Sequence, residues 1–362
     1  MRIIIGANYG DEGKGVTTAH FCNENTLNIL TNGGAQRGHT ADGHVFHHLG
    51  SGTLRGAKSY FFKTFLLDPV MFLKEYGELK KKTDIIAYRD AGCRWVTPYD
   101  VLVNQELERK RTFKHGSCGM GIWETVNRHN NMLCWTIDIF NESSKADKVA
   151  YLTTVRDYAL NRLGDDISAE TLDLMYSDIL MENFIDDVAT FCMFVPVRNL
   201  HDFNNYELVF ENAQGLLLNA DEKNVHTTPS CTGCKNVVQF IEDEYINQKV
   251  EIIYVTRPYL TRHGAGPFEE CSREELGVAE DTTNIPNEFQ GSIRYGKLNV
   301  EELIERIDKD FANTNGSINT YYKSISITHL DEMPLYLTSD FYNTYKFNGV
   351  ESNDEDFRKI LR

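Results

Sequence analysis

Residues Gly10 to Gly15 read G-D-E-G-K-G, directly after the apolar run Ile3–Ile5 and just before a helix-like stretch that starts at Val16. Three glycines around a lysine can form a backbone cradle for an anion. Gly10, Gly13 and Gly15 let successive N–H groups turn toward one point, and Lys14 adds a charge there. A Walker-type P-loop carries Ser or Thr after its lysine to hold Mg²⁺; here that position is Gly15, so the loop is not a Walker motif. Asp11 and Glu12 are the anomaly. Carboxylates repel phosphate unless Mg²⁺ lies between them or one of them takes a proton from a substrate. A surface turn with two solvated acids is the reading without chemistry. A second glycine-rich segment, Thr31 to His44 (TNGGAQRGHTADGH), places His39 between a glycine and a threonine. A loop histidine beside an acid-bearing loop suits a proton-transfer and electrophile pair, or else it bonds a backbone carbonyl.

The elements that must position these loops are legible from periodicity. RIIIGA reads as a short strand entering the glycine turn, and VTTAHFCNENT as the helix that leaves it. Tyr206–Gly215, Val250–Tyr259 and Lys323–Asp331 are apolar runs bounded by turn residues, which predicts buried strands of a largely parallel sheet. SAETLDLMYSDILMENFIDDVATF and NVEELIERIDKDFA predict helices between them. No Pro/Ser linker, repeat or low-complexity block divides the chain, so residues 1–362 are read as one α/β domain with a mainly parallel central sheet, P-loop-NTPase-like, with helical insertions. The charged last dozen residues read as a surface helix or a frayed tail.

Composition excludes some classes. With 37 Lys+Arg against 53 Asp+Glu, the formal charge of −16 disfavours broad binding to nucleic acid or an anionic membrane. KKK at Lys80–Lys82 and RKR at Arg109–Arg111 read as solvated faces, and Trp95, Trp123 and Trp135 as packing. No apolar run approaches the roughly 18 residues of a membrane span, and the expected location is the cytoplasm, or a host cytoplasm for a phage-encoded chain. Eight cysteines in 362 residues with a single CxxC, Cys231 and Cys234, suit free thiols better than a zinc site.

Six segments in order resemble the adenylosuccinate synthetase family: GDEGKG, NGGAQRGHT at Asn32, FENAQGLLL at Phe210, TRHGAGPF at Thr261, NEFQGSIRYGKL at Asn287 and THLD at Thr328. The resemblance implies that family's fold and a carbon–nitrogen ligase joining L-aspartate to C6 of a 6-oxopurine monophosphate through a 6-phosphoryl intermediate. It implies roles residue by residue. Asp11 removes the purine N1 proton and touches Mg²⁺, Lys14 holds the transferring phosphoryl group, His39 stabilises the 6-phosphoryl oxygen, and the Gly38 carbonyl is a second metal ligand. Gln214 reaches the purine or its sugar phosphate. Gly10, Glu12, Gly13, Gly15, Gly38, Thr40, His329 and Asp331 fall on the triphosphate side. Gln36, Ser117, Cys118, Thr228 and His263 fall on the monophosphate side, with Arg128 as the arginine donated across a homodimer interface into a shared site. Arg294, with Ser292, meets the aspartate carboxylates, for which a planar guanidinium is well shaped. The implied cofactors are Mg²⁺ and ATP, or dATP or GTP, as phosphoryl donor.

The departures point to a branch. His329 stands where the family's guanine-reading lysine is expected, so GTP selectivity is not implied, although Asp331 can still accept from a base edge. Ser292 stands where an arginine otherwise reaches the ribose 2′-hydroxyl, which removes one reason to require a ribose. Gln36, Arg37 and Asn212 add bulk and amide groups near the purine. Together these favour the compact phage forms that convert dGMP to N6-succino-2-amino-2′-deoxyadenylate, with IMP and GTP as the alternative pair; retention of Asp11 resembles the cellular enzymes. A catalytically inert nucleotide-binding relic is the remaining reading, opposed by the intact Asp11, Lys14 and His39.

Overall fold

The computed structural model describes residues 1–112, 117–220, 226–279, 289 and 291–332; the charged last dozen residues fall outside these. Seven strands form the central sheet: β1 (Arg2–Gly6), β2 (Thr26–Leu30), β3 (Lys58–Phe61), β4 (Ala87–Arg89), β5 (Glu207–Gly215), β6 (Lys249–Thr256) and β7 (Thr320–Ile327). Their order is β7-β6-β1-β5-β2-β3-β4, and every neighbouring pair is parallel. A parallel sheet needs cover on both faces, and the apolar runs supply it. Ile3, Ile5, Ile29, Val250 and Ile252 face one core, closed by helices Lys235–Glu244 and Val300–Phe311. Leu30, Phe61, Phe65 and Trp95 face the other, closed by Pro69–Leu79 and by the helices inserted between β4 and β5. The expected parallel α/β sheet with helical insertions is therefore present.

The helix expected across Ser168–Phe191 is two helices, Ala169–Met175 and Asp178–Phe194. Ser168 and Ser177 each cap one, their hydroxyls accepting from Thr171 N and Leu180 N, and a second cap inside the run outweighs its continuous periodicity. Trp95 is fully buried against Phe140, Tyr151 and Phe184, and Trp135 stacks on Tyr151. Trp123, by contrast, is 55% exposed and does not pack in the core. No helix among the described residues is long and apolar enough to cross a membrane.

Arg128 corrects a sequence expectation. It lies on helix Ile122–Asn131 with no exposed surface. Its guanidinium donates to Asp100 Oδ1 (2.8 Å) and Oδ2 (2.9 Å) and to the Trp95 carbonyl (2.8 Å). Asp100 in turn completes the capping box at Thr97 that starts helix Pro98–Lys110. A guanidinium spent on a buried fork inside its own protomer is not free to cross an interface. Arg128→Met strands the Asp100 carboxylate in the interior, and should lower the unfolding free energy by about 3–5 kcal/mol in denaturant titration. A loss under 1 kcal/mol would show that the pair is dispensable to the fold.

Candidate active site

The site grows from the C-terminal ends of β1, β5 and β2, which lie side by side. Ile4 of β1 and Leu30 of β2 are both in register with Glu211, but Gly6 is in register with Gly215. The two-residue step on β1 thus faces four on β5, an irregularity that bends the strand and re-aims its side chains. Gln214 sits in that bend at φ +62°, a left-handed conformation that costs a non-glycine residue free energy and marks functional turns.

The loop between β1 and α1 (Lys14–His20) packs into this bend. Glu12 is buried beneath it: Oε1 accepts from Asn8 N (2.9 Å) and Gly10 N (2.8 Å), and Oε2 pairs with Lys14 Nζ at 3.0 Å. Its oxygens face the loop's own donors, so Glu12 builds the loop rather than meeting an anion itself. Lys14 is also buried and donates to the Gly10 carbonyl at 2.5 Å. Thr328, at the end of β7, donates to the Glu12 carbonyl (2.6 Å) and bonds His329 Nδ1 (2.7 Å), with His329 at φ +58°. Asp331, just beyond, is exposed.

Asp11 differs from Glu12. Its side chain keeps 22% of its surface, and His263 Nε2 lies 3.6 Å from its Oδ2. Burial raises its pKa, opposed by His263 and Arg257, so the carboxylate is more basic than usual. Arg257 Nε also donates to the Asp11 carbonyl, fixing the backbone while the carboxylate stays available. The partly exposed Asp11 carboxylate, and the exposed Gly38 next to the His39 segment that meets the loop at Gly15, offer hard oxygen donors of the kind Mg²⁺ takes.

His39 begins the short hairpin His39–Ala41/His44–Phe46, and the loop and hairpin touch through Gly15. A Cβ on Gly15 would lie 2.6 Å from the Thr40 carbonyl oxygen and 3.1 Å from His39 Cβ. This is why glycine replaces the Walker hydroxyl: the space belongs to the histidine segment. His39 Nδ1 is 2.6 Å from Glu211 Oε1, and Arg37 Nη2 pairs with the same oxygen at 2.9 Å. Burial, followed by Arg37, pushes the His39 pKa down to about 4, which keeps the ring neutral near pH 7. Burial pushes Glu211 the other way, but Arg37, His39 and Ser51 outweigh it and hold the carboxyl far below the usual range.

Several polar atoms at the ends of these strands are buried without a partner among the described residues: both heteroatoms of the Gln36 amide, Gln214 Oε1 and His263 Nδ1. Each costs about 1–3 kcal/mol unless something bonds it, so their gathering here is the signature of a ligand cavity. Asn212 behaves otherwise. Its Oδ1 accepts from Thr31 Oγ1 (2.5 Å) and its Nδ2 donates to the Thr232 and Gly233 carbonyls (3.0 and 2.9 Å). With its amide fully used, it is no purine reader.

The remaining expected residues sit on separate segments. Ser117 accepts from Asn104 Nδ2 (3.0 Å), and Asn104 and Gln105 hold the 117–121 loop through Gly121 N and the Gly119 carbonyl. Burial raises the neighbouring Cys118 thiol to about 11. Thr228 is buried and its N–H donates to Leu218 O. Arg294 donates to the Gly264 and Gly266 carbonyls (2.5 and 3.2 Å) and pairs with Glu270 (3.1 Å), while Ser292 is exposed. Glu211, Ser51 and Asn104 were not singled out from sequence. Glu211 had a signal there, a charge directly after the apolar run Leu208–Phe210 in the buried part of the strand.

A parallel sheet whose first strand enters a glycine-rich, lysine-bearing loop defines an α/β fold of the P-loop-like class. Within that class the chain belongs to the adenylosuccinate synthetase family, whose model matches residues 3–332. An adenylosuccinate synthetase of Microcystis aeruginosa is 28% identical over 284 residues, covering 74% of this chain and 61% of the relative. That of Thermodesulfovibrio yellowstonii is 26% identical over 294 residues, with 76% and 66% covered. The chain thus spans roughly three-fifths to two-thirds of the length of these curated relatives. Among solved structures, a fully ligated adenylosuccinate synthetase from Plasmodium falciparum aligns with TM-score 0.67 at 19% identity, over 91% of this chain and 77% of the other. A cyanophage S-2L succinoaminodeoxyadenylate synthetase bound to dGMP and dATP aligns with TM-score 0.63 at 13% identity, over 96% and 89%. Both share the fold.

The Gly15 contact yields a test. Gly15→Ser, which restores a Walker hydroxyl on paper, must displace either α1 or the His39 segment; turnover should fall at least about 10²-fold with a lowered melting temperature, because a displacement of about 1 Å suffices for such a loss. Retained activity would mean that the two loops are not rigidly joined.

Proposed function

We propose that this chain is a carbon–nitrogen ligase that uses a purine nucleoside triphosphate to join L-aspartate to C6 of a 6-oxopurine monophosphate. The observation that carries the reading is the meeting of Asp11, Lys14, His39 and Gln214 at adjoining strand ends, with unpartnered polar atoms buried around them. Asp11, basic for a carboxylate and open to the cleft, takes the N1 proton so that O6 attacks the γ-phosphorus. Lys14 follows the phosphoryl group, and His39 stabilises charge on the new 6-phosphoryl oxygen. The aspartate amine then adds at C6 and phosphate departs, a far better leaving group than the original oxygen. Asp11 and the Gly38 carbonyl would hold Mg²⁺, which when bound neutralises phosphate charge. Arg294 is the group for the aspartate carboxylates, and Ser117, Cys118 and Thr228 for the 5′-phosphate.

For the acceptor, dGMP is favoured over IMP. A buried 2-amino group needs an acceptor, and with Asn212 fully engaged, the unpartnered Gln36 carbonyl is the candidate. Ser292 is exposed and short, leaving no long side chain at that position for a 2′-hydroxyl. The solved phage relative that holds dGMP and dATP is also matched over more of its length than the Plasmodium one. IMP with GTP is the second reading, favoured by the kept Asp11. A homodimer is expected from the family, without Arg128 as the exchanged residue.

Purified protein with Mg²⁺, aspartate, ATP or GTP and dGMP, GMP or IMP should release phosphate only when aspartate is present. Asp11→Asn should nearly abolish this while nucleotide binding persists. Absence of an N6-succino product in every combination would end the ligase reading.

In competition, dGMP should outrun dIMP by about tens-fold, because an unmet buried amine costs about 1–3 kcal/mol in the other case. Gln36→Leu should erase that preference. IMP preferred tenfold or more over dGMP would assign the chain to the adenylosuccinate reaction with the same catalytic groups.

A further inference from the structure

Glu211 lies in the middle of the sheet, where a carboxylate is costly, and it is surrounded by donors. Its side chain has no exposed surface and that of Arg37 has 1%. Ser51 donates to it twice, from Oγ to Oε1 and from N to Oε2 at 3.1 Å. Arg37 Nη2 donates to Oε1 at 2.9 Å, and His39 Nδ1 lies 2.6 Å from the same atom. An anionic oxygen and a nitrogen lone pair repel at that distance, so a proton must lie between them. With Arg37 balancing the carboxylate's charge and Ser51 donating to both its oxygens, the proton belongs to Nδ1. Arg37 Nη2, 3.2 Å from Nδ1, is then a second donor aimed at the shared oxygen rather than at the ring. All described hydrogen bonds of His39 are made at Nδ1, which leaves Nε2 for the cleft.

We infer that Glu211, held by Arg37 and Ser51, is the positioning residue of His39: it accepts the Nδ1–H hydrogen bond, fixes the rotation of the ring, and so presents Nε2 to the reacting oxygen, to which it donates once the bound anion draws a second proton from solvent onto the ring. A buried acid behind a histidine sets which nitrogen works without touching substrate. Here the acid comes from β5, the strand that also carries Gln214, so one strand aligns both groups. Arg37, buried beside it, keeps the acid anionic in the interior. The inference rests on the proposed role of His39 for its kinetic consequence, but the tautomer itself is independent of turnover.

Two measurements test it. In ¹⁵N-histidine NMR of the ligand-free protein, His39 should show a protonated Nδ1 and an unprotonated Nε2; the opposite tautomer overturns the inference whatever the enzyme does. In kinetics, Glu211→Gln should lower kcat about tenfold or more with KM for the monophosphate changed less than about threefold. In a His39→Asn background the same change should cost less than about threefold, since a residue that acts through His39 has nothing left to position. Losses that multiply in full, or a Glu211→Gln enzyme with unchanged kcat, overturn it. If Glu211→Gln does not fold, the paired Arg37→Met and Glu211→Leu variant removes the ion pair as a unit and is held to the same expectations. A wild-type protein without turnover would fail the ligase reading alone, because the tautomer is still read from the ligand-free spectrum.

Discussion

The parallel register of β1, β5 and β2 is the constraint on which the site depends. Because the three strands run the same way and lie side by side, the loops that leave them emerge on one edge, and chemistry separated by some 200 residues in the chain comes within bonding distance. The irregularity between Ile4 and Gly6 then makes room for Gln214 in a left-handed turn against Gly10. A regular ladder would have sent those side chains into the sheet's faces, where the two cores already fill the space.

Buried charge is handled in the same way three times. Glu12 with Lys14, Glu211 with Arg37, and Asp100 with Arg128 each sit in the interior as pairs whose carboxylates take further hydrogen bonds from neighbouring groups, backbone N–H for Glu12, Ser51 and His39 for Glu211, and Thr97 for Asp100. An unpaired charge in these positions would be prohibitive, and a buried pair gives orientation more than stability. Two of the three brace the loops of the site and the third braces the helical insertion. This division explains why adjacent acids in one loop behave so differently: Glu12 is consumed by the scaffold, which leaves Asp11 exposed to the cleft and short of partners.

Much was legible in the chain alone. The strands β1, β5, β6 and β7, the helix Val300–Phe311 and the two glycine loops follow from local pattern, since apolar runs, caps and glycines act over a few residues. Family membership followed from six short motifs in order, because the phosphate loop and its neighbours tolerate few residue types. Local pattern did less well inside the helical insertion, where Ser177 split an otherwise continuous periodicity.

Side-chain engagement is what the sequence could not determine. That Arg128 is locked to Asp100, that Asn212 has no free amide atom while Gln36 has both, and that Glu12 turns under the loop are outcomes of packing between segments far apart in the chain. The residue types were visible; their partners were not, since a hydrogen bond is made with whatever the fold brings within about 3 Å. By itself the sequence determined the class of fold, the family and the inventory of reactive groups. Only the tertiary structure decided which of those groups are free to meet a ligand, because burial and partner choice are properties of the assembled sheet and not of any one segment.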